Sequence, residues 1–189
     1  MRRAITFLTM LAASLTACSN DLSVSQGERE QKGGTDMDMS LTSSAFANGG
    51  TIPARYTADG PDLSPPLAWS GVPEAAERLV LICDDPDAPS GNWIHWVAYD
   101  IPADLDGLEE GVAPDETILG DAKQGVSDFG RIGYGGPAPP PGKPHRYIFT
   151  LYAVDKSTGL KSGASKVDVL SAIEGQIIAK TTLTGLYGR

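Results

Sequence analysis

Glycine and proline divide this chain into short pieces. Together they make up 36 of its 189 residues (22 Gly, 14 Pro), high for a helical bundle and ordinary for a loop-rich β fold. Proline has a fixed φ and no N–H, so Pro65-Pro66 and the stretch Pro137–Pro144 must be loops. Between such breaks stand three apolar runs. Leu79-Val80-Leu81-Ile82-Cys83 is continuous and ends on a turn cluster, which predicts a strand buried on both faces. Trp93–Ile101 is apolar on both parities. A two-residue repeat puts Trp93, His95, Val97 and Tyr99 on one face, and Ile94, Trp96, Ala98 and Asp100 on the other. Tyr147–Val154, rich in aromatic and β-branched residues, is the third strand.

One helix is predicted. Ser165 is a good N-cap, and Asp168 stands at the third following position. Val169, Leu170, Ile173, Ile177 and Ile178 then repeat at helical spacing, with Gly185 beyond the expected end. The strands are not separated by regular helices, which argues against a parallel βαβ sheet. The expected fold is therefore mainly β: two antiparallel sheets packed together, a few short helices, and one helix toward the C-terminus.

The N-terminus reads differently. Met1-Arg2-Arg3 precedes an apolar stretch from Ala4 to Ala17, a positive n-region followed by an h-region of signal-peptide length. It is shorter than the roughly 20 residues a membrane-spanning helix needs. It ends Leu15-Thr16-Ala17-Cys18, which resembles the lipobox of bacterial lipoproteins. Residues 1–17 are thus expected to be a signal peptide and Cys18 the lipidation site; a simple secretory cut with an incidental Cys18 is the alternative. Residues 18–38, polar and poor in large apolar groups, read as a tether, and 39–189 as one domain. Ser19, not Asp, follows Cys18, which favours outer-membrane delivery. The expected location is the bacterial cell envelope, anchored by acyl chains and facing the periplasm.

Charge narrows the partners. Lys and Arg number 15 against 24 Asp and Glu, a net charge of −9. Removing residues 1–17 takes away two arginines and no acid, leaving −11. Such a chain repels phosphate backbones and anionic lipid surfaces, so no nucleic-acid partner is expected, and only acyl chains would hold it to a membrane. With Cys18 lipidated, Cys83 has no intrachain partner; it reads as a small buried hydrophobe.

The chemistry concentrates around the only two histidines. His95 follows Asp84-Asp85-Pro86-Asp87-Ala88-Pro89-Ser90-Gly91-Asn92-Trp93-Ile94. His145 closes Gly133-Tyr134-Gly135-Gly136-Pro137-Ala138-Pro139-Pro140-Pro141-Gly142-Lys143-Pro144 and is followed by Arg146-Tyr147. These segments resemble the two signatures of the phosphatidylethanolamine-binding protein family, in its bacterial Raf kinase inhibitor-like branch. That family has an Asp-Pro-Asp-Ala-Pro turn before a Trp-x-His strand, and a Gly/Pro-rich loop ending in His-Arg-Tyr. Leu63-Ser64-Pro65-Pro66-Leu67-Ala68-Trp69 and the closing Leu186-Tyr187-Gly188-Arg189 support it. The resemblance spans about residues 39–189. It departs at Ala138, where many relatives carry a cysteine, and at Gln176, where the C-terminal helix often shows Gly-His.

On a strand, His145 and Tyr147 share a face and Arg146 points away. If the two histidine-bearing strand starts lie side by side, both imidazoles, the Tyr147 phenol and the Asp85–Asp87 carboxylates converge on one hollow. The resemblance implies the same pocket, a receptor for a small anion or phosphorylated headgroup, with no enzymatic step and no cofactor. The candidate ligand-binding residues are Asp85, Asp87, Trp93, His95, Pro139, Pro140, His145 and Tyr147. Asp85 is preferred to Asp87 as a pocket group, with an ammonium as its possible partner. A carboxylate beside a histidine is expected to raise the histidine pKa. Arg146 is set aside as a structural clamp with an acid such as Asp87, and Gly135, Gly136 and Gly142 as turn glycines.

Two other classes stay open. Asp85, His95 and His145 are a two-histidine, one-carboxylate set of the kind that holds zinc or iron, which would suit a metal-dependent hydrolase. The usual short His-x-x-x-His spacing is missing. Relatives also inhibit kinases or serine proteases, so the pocket mouth could dock a protein partner; for an exported chain a protease is the better target. No Gly-x-Ser-x-Gly elbow appears to support a serine nucleophile.

Overall fold

A computed structural model of the chain describes residues 38–189, which all fall in one compact unit. The expected leader, Cys18 and the tether up to residue 37 lie outside the described residues. Ten strands and one helix follow in order: β1 Ser40–Thr42, β2 Gly50–Thr51, β3 Leu67–Ser70, β4 Arg78–Asp85, β5 Trp93–Pro102, β6 Gly107–Leu108, β7 Thr117–Ile118, β8 Ala122–Gln124, β9 His145–Val154, α1 Lys166–Ala172 and β10 Ile177–Tyr187. They form two sheets, a three-stranded one ordered β1-β3-β6 and a seven-stranded one ordered β2-β10-β9-β4-β5-β8-β7. Every pairing is antiparallel except β2 with β10. The mainly β, two-sheet expectation holds. No helix among the described residues is long and apolar enough to cross a membrane.

The main core lies between the sheets. Leu41, Leu67, Trp69 and Leu108 of the small sheet meet Leu79, Leu81, Cys83, Trp96, Ala98, Phe149, Leu151 and Leu183 of the large one. The Trp69 indole N–H donates to the Leu105 carbonyl and that of Trp96 to Gln124 Oε1, so both buried rings satisfy their one polar atom. The other face of the large sheet is covered by α1. There Val80, Ile82, Val97 and Tyr99 pack on Val169 and Ile173. Full burial of each such aliphatic side chain is worth about 1.5–3 kcal/mol. Two-sided burial explains why β4 reads as an unbroken apolar run. Cys83 sits in the core; burial pushes its thiol well up, so it packs as a hydrophobe.

Strand β5 does not keep a simple alternation. In its pairing with β4, Cys83 stands opposite Trp96 and Asp84 opposite Ile94, leaving His95 as an extra residue. This β-bulge reverses the parity. Ile94, Val97 and Tyr99 face the helix, whereas Trp96, Ala98 and Ile101 face the sheet-to-sheet core. The two faces expected from strict alternation are therefore wrong beyond His95. A second irregularity places Asp100 at φ 56, its carboxylate held by Lys123 and by the backbone and hydroxyl of Thr158.

The predicted helix begins as expected and stops early. Ser165 and Asp168 form a complete capping box, but the helix ends at Ala172 and Gly175 turns the chain at φ 76. Ile177 and Ile178, read as helical, begin the eleven-residue strand β10. Their β-branched neighbours Thr181, Thr182 and Thr184 suit a strand, and antiparallel pairing with β9 outweighs the chance helical spacing of the isoleucines. Gly185 is not a helix stop. It sits opposite Tyr147, where an added Cβ would lie 2.4 Å from Ile52 and 2.9 Å from Phe46. Gly185→Ala is expected to destabilise the fold by about 1–3 kcal/mol through overpacking, seen as a lower urea midpoint with an unchanged m-value.

Candidate functional site

The large sheet places β4, β5 and β9 side by side, with β4 in the middle. At one end, Asp85 closes β4, Trp93 opens β5 and His145 opens β9. Asp85 continues the core-facing parity of Leu79, Leu81 and Cys83, and its register partner is Trp93. His145 and Tyr147 continue the core-facing parity of Phe149 and Leu151. The bulge turns His95 toward the same side, so its ring meets that of Tyr147 edge-on, with centroids 5.0 Å apart. The convergence supposed from the sequence is thus realised.

These residues line a cavity of about 210 Å³. Its walls are Asp85, Trp93, His95, His145 and Tyr147, together with Ala88, Pro89, Ser90, Phe129, Ala138, Pro139 and Pro140. No lysine or arginine is among them. Of the sequence-predicted site residues, Asp87 alone lies outside; it lines a neighbouring hollow with Pro140–His145. Its carboxylate is taken up by Arg146, whose Nε and Nη2 donate at 2.8 and 2.7 Å while the Arg146 backbone N–H adds a third bond. This bidentate pair holds the Asp87 carboxyl well below its ordinary range, and ties the Asp-Pro-Asp turn to β9.

Asp85 is also engaged, through both oxygens. One oxygen accepts from the Asp87 backbone N–H at 2.8 Å, the other pairs with His145 Nδ1 at 2.8 Å. The contact with the Asp87 N–H makes Asp85 the first residue of an Asx turn. Each oxygen already carries one hydrogen bond, so a ligand ammonium would share the carboxylate with His145 and the Asp87 N–H. The role of Asp85 is to hold the His145 ring with Nδ1 inward, leaving Nε2 as the free ring nitrogen.

His95 is held from its other side. The Gly135 carbonyl pairs with Nδ1, while the Gly135 N–H donates to the His95 carbonyl at 2.9 Å. Nε2 is again the remaining nitrogen. Among the described residues, neither Nε2 nor the Tyr147 hydroxyl has a protein hydrogen-bond partner, although the rings of His95 and Tyr147 are buried. Burial pushes the Tyr147 hydroxyl up, so it remains a proton donor. Burial also lowers the His95 pKa. The Gly135 carbonyl and the Asp85, Asp62 and Asp128 carboxylates oppose that shift without reversing it. For His95, the expected rise beside a carboxylate is corrected, because desolvation of the imidazolium outweighs these attractions.

Two of the three glycines read as turn formers do something else. Gly135 and Gly136 have no positive φ; an added Cβ would strike the Phe129 ring at 2.4 Å and Asp62 at 2.5 Å. They permit close approach. Gly142, at φ 148, is the one whose backbone favours glycine. The feature missed by the sequence reading is Phe129. It comes from the polar loop Ser127-Asp128-Phe129-Gly130-Arg131, where a lone aromatic was the only signal. No group of three or more His, Cys, Asp or Glu among the described residues is placed to hold a metal ion.

Comparison with known proteins bears on the family and the fold. Residues 42–188 match the sequence profile described as Phosphatidylethanolamine-binding protein. The chain is 55% identical over 152 residues to a UPF0098 protein of Methanothermobacter thermautotrophicus, covering 80% of this chain and 99% of that one. It is 43% identical over 154 residues to a UPF0098 protein of Chlamydia trachomatis, covering 79% and 98%. Among solved structures it resembles the Chlamydia trachomatis phosphatidylethanolamine-binding protein homologue CT736 (TM-score 0.74, 41% identity, 80% of this chain and 98% of that one). It also resembles E. coli YbcL (TM-score 0.76, 32% identity, 80% and 99%).

Because folding lowers the His95 pKa below its ordinary 6.5, the unfolded chain binds more protons as pH falls through and below that value. Native stability should therefore decline with falling pH in that window. His95→Gln should remove this part of the decline, as measured by urea unfolding between about pH 5 and pH 8.

Proposed function

The chain belongs to the phosphatidylethanolamine-binding protein family, and from that premise we propose that it is a non-enzymatic binding protein whose cavity takes up a small phosphate-bearing or similar anionic group. The observation that carries this reading is the meeting of three unpartnered polar atoms, His95 Nε2, His145 Nε2 and Tyr147 Oη, in a largely apolar hollow. These atoms stay accessible from the cavity, and an oxyanion offers acceptors to all of them. Tyr147 donates as a neutral phenol. His145, oriented by Asp85, presents its second nitrogen as an N–H when the ring is charged. His95 is neutral near pH 7 and becomes a donor by taking up a proton, which a bound phosphate favours. Proline at positions 139 and 140 and the Asp87–Arg146 clamp give a mouth that needs little ordering on binding.

This reading is tested by calorimetric titration with inorganic phosphate. Binding is expected to be saturable, to weaken at least about tenfold in His95→Ala and in His145→Ala, and to tighten as pH falls below the ordinary histidine range. Unchanged affinity in both variants would overturn it, and a flat affinity from about pH 5 to pH 9 would remove imidazolium as the anion's partner.

The same proposal places the domain at the bacterial cell envelope, tethered by an acylated Cys18. Expressed with its own leader in a bacterial host, the wild-type chain should sediment with membranes, and Cys18→Ala should move it to the soluble fraction. Equal partition of the two would reject the anchor.

A further inference from the structure

We propose that Phe129 is the specificity-determining residue of the cavity: its ring forms a fixed apolar edge that favours anions carrying an apolar group beside the phosphate. The inference rests on the reading of the cavity as an anion site. Phe129 is 40% exposed, one of the few large hydrophobic side chains among the described residues left so open, and it lines the cavity. It is nonetheless fixed. Its ring stands edge-on to Trp93 (5.6 Å between centroids, 75°) and to His95 (5.3 Å, 72°). It lies so close to Gly135 that no side chain fits between them.

The loop that carries the ring is pinned to β5. The Asp128 backbone N–H donates to the Ile94 carbonyl, and the Asp128 carboxylate accepts from the Ile94 N–H at 2.7 Å. Gly130, at φ 73, closes the turn on Ser127. The Arg131 guanidinium lies 5.8 Å from the Phe129 centroid and is itself held by Asp62 at 2.8 Å, while Asp62 accepts from the Gly136 N–H. Gly135, which packs against the ring, also holds His95 through its carbonyl and N–H. An aromatic side chain held in this way, yet open toward a hollow, presents a preformed surface for a partner.

The charges around the cavity say which partner. Both oxygens of Asp85, its one lining acid, are occupied by His145 and Asp87. An ammonium-bearing ester therefore competes with His145 for the one lining carboxylate, whereas an apolar or aromatic group finds Phe129 and Trp93 unopposed. The ligand class is a phosphate monoester whose alcohol part is apolar.

The test is a set of calorimetric titrations of the full domain with inorganic phosphate, phosphoethanolamine and phenyl phosphate. On the wild-type protein, phenyl phosphate is expected to bind at least about tenfold tighter than phosphoethanolamine. Phe129→Ala should lose about tenfold for phenyl phosphate and stay within about twofold for inorganic phosphate, and Phe129→Tyr should retain the preference. Phosphoethanolamine binding as tightly as phenyl phosphate would overturn the proposal. So would an equal loss for both phosphates in Phe129→Ala, which would make the ring only a prop for His95, or no loss at all. If inorganic phosphate binds without any such selectivity, this inference falls alone; if it does not bind the wild-type protein, the anion reading falls with it.

Discussion

Two β-strands can bring their ends together in register and still aim their side chains apart, because successive residues point to opposite faces. In this protein the extra residue in the β4–β5 ladder removes that conflict. Trp96 must face the core, and strict alternation would turn its neighbour His95 toward the helix side. The bulge instead leaves both on one face, at the small cost of an interrupted ladder. Asp85 and Trp93, opposite one another, face the same way, and β9 delivers His145 and Tyr147 from the other side of β4. The cavity is the end of the main core, where the hydrocarbon filling stops and polar groups take over.

Its electrostatics follow from which groups are already satisfied. Asp85 could look like a ligand group, yet its two hydrogen bonds make it a support for His145. Asp87 and Arg146 neutralise each other outside the hollow. Among the described residues lining the hollow, the two imidazoles and the Tyr147 phenol are left with unmet hydrogen-bonding capacity. That set responds to pH, since burial favours the neutral form of His95 until something negative arrives. Apolar walls around so few polar atoms make the hollow selective by shape as much as by charge.

Much of this was legible in the sequence. The three apolar runs are the central strands β4, β5 and β9, because buried strands show themselves as continuous hydrophobic stretches. Ser165 and Asp168 marked the helix start by local chemistry that needs no tertiary partner. Parity alone turned Arg146 away from the pocket, toward an acid such as Asp87. Strand β10 was hidden because its isoleucines sit 42% exposed at its start and fall at helical spacing from Ile173, so periodicity favoured the wrong element. Phe129 was hidden because an aromatic in a polar loop carries no periodicity at all.

What the sequence determined by itself is therefore local: where strands run, where proline forbids them, where a helix is capped, and which residue types stand at the two junctions. These depend on neighbours a few positions away and on side-chain chemistry. The tertiary structure decided the parity reversal at His95, the division of labour between Asp85 and Asp87, the neutral preference of His95, and the place of Phe129 at the rim. Each of those depends on residues tens of positions distant in the chain, 60 between Asp85 and His145 and 40 between His95 and Gly135, and distances of that kind close only when the sheets pack. Burial and pairing energies arise only then, because no local segment can exclude water from itself.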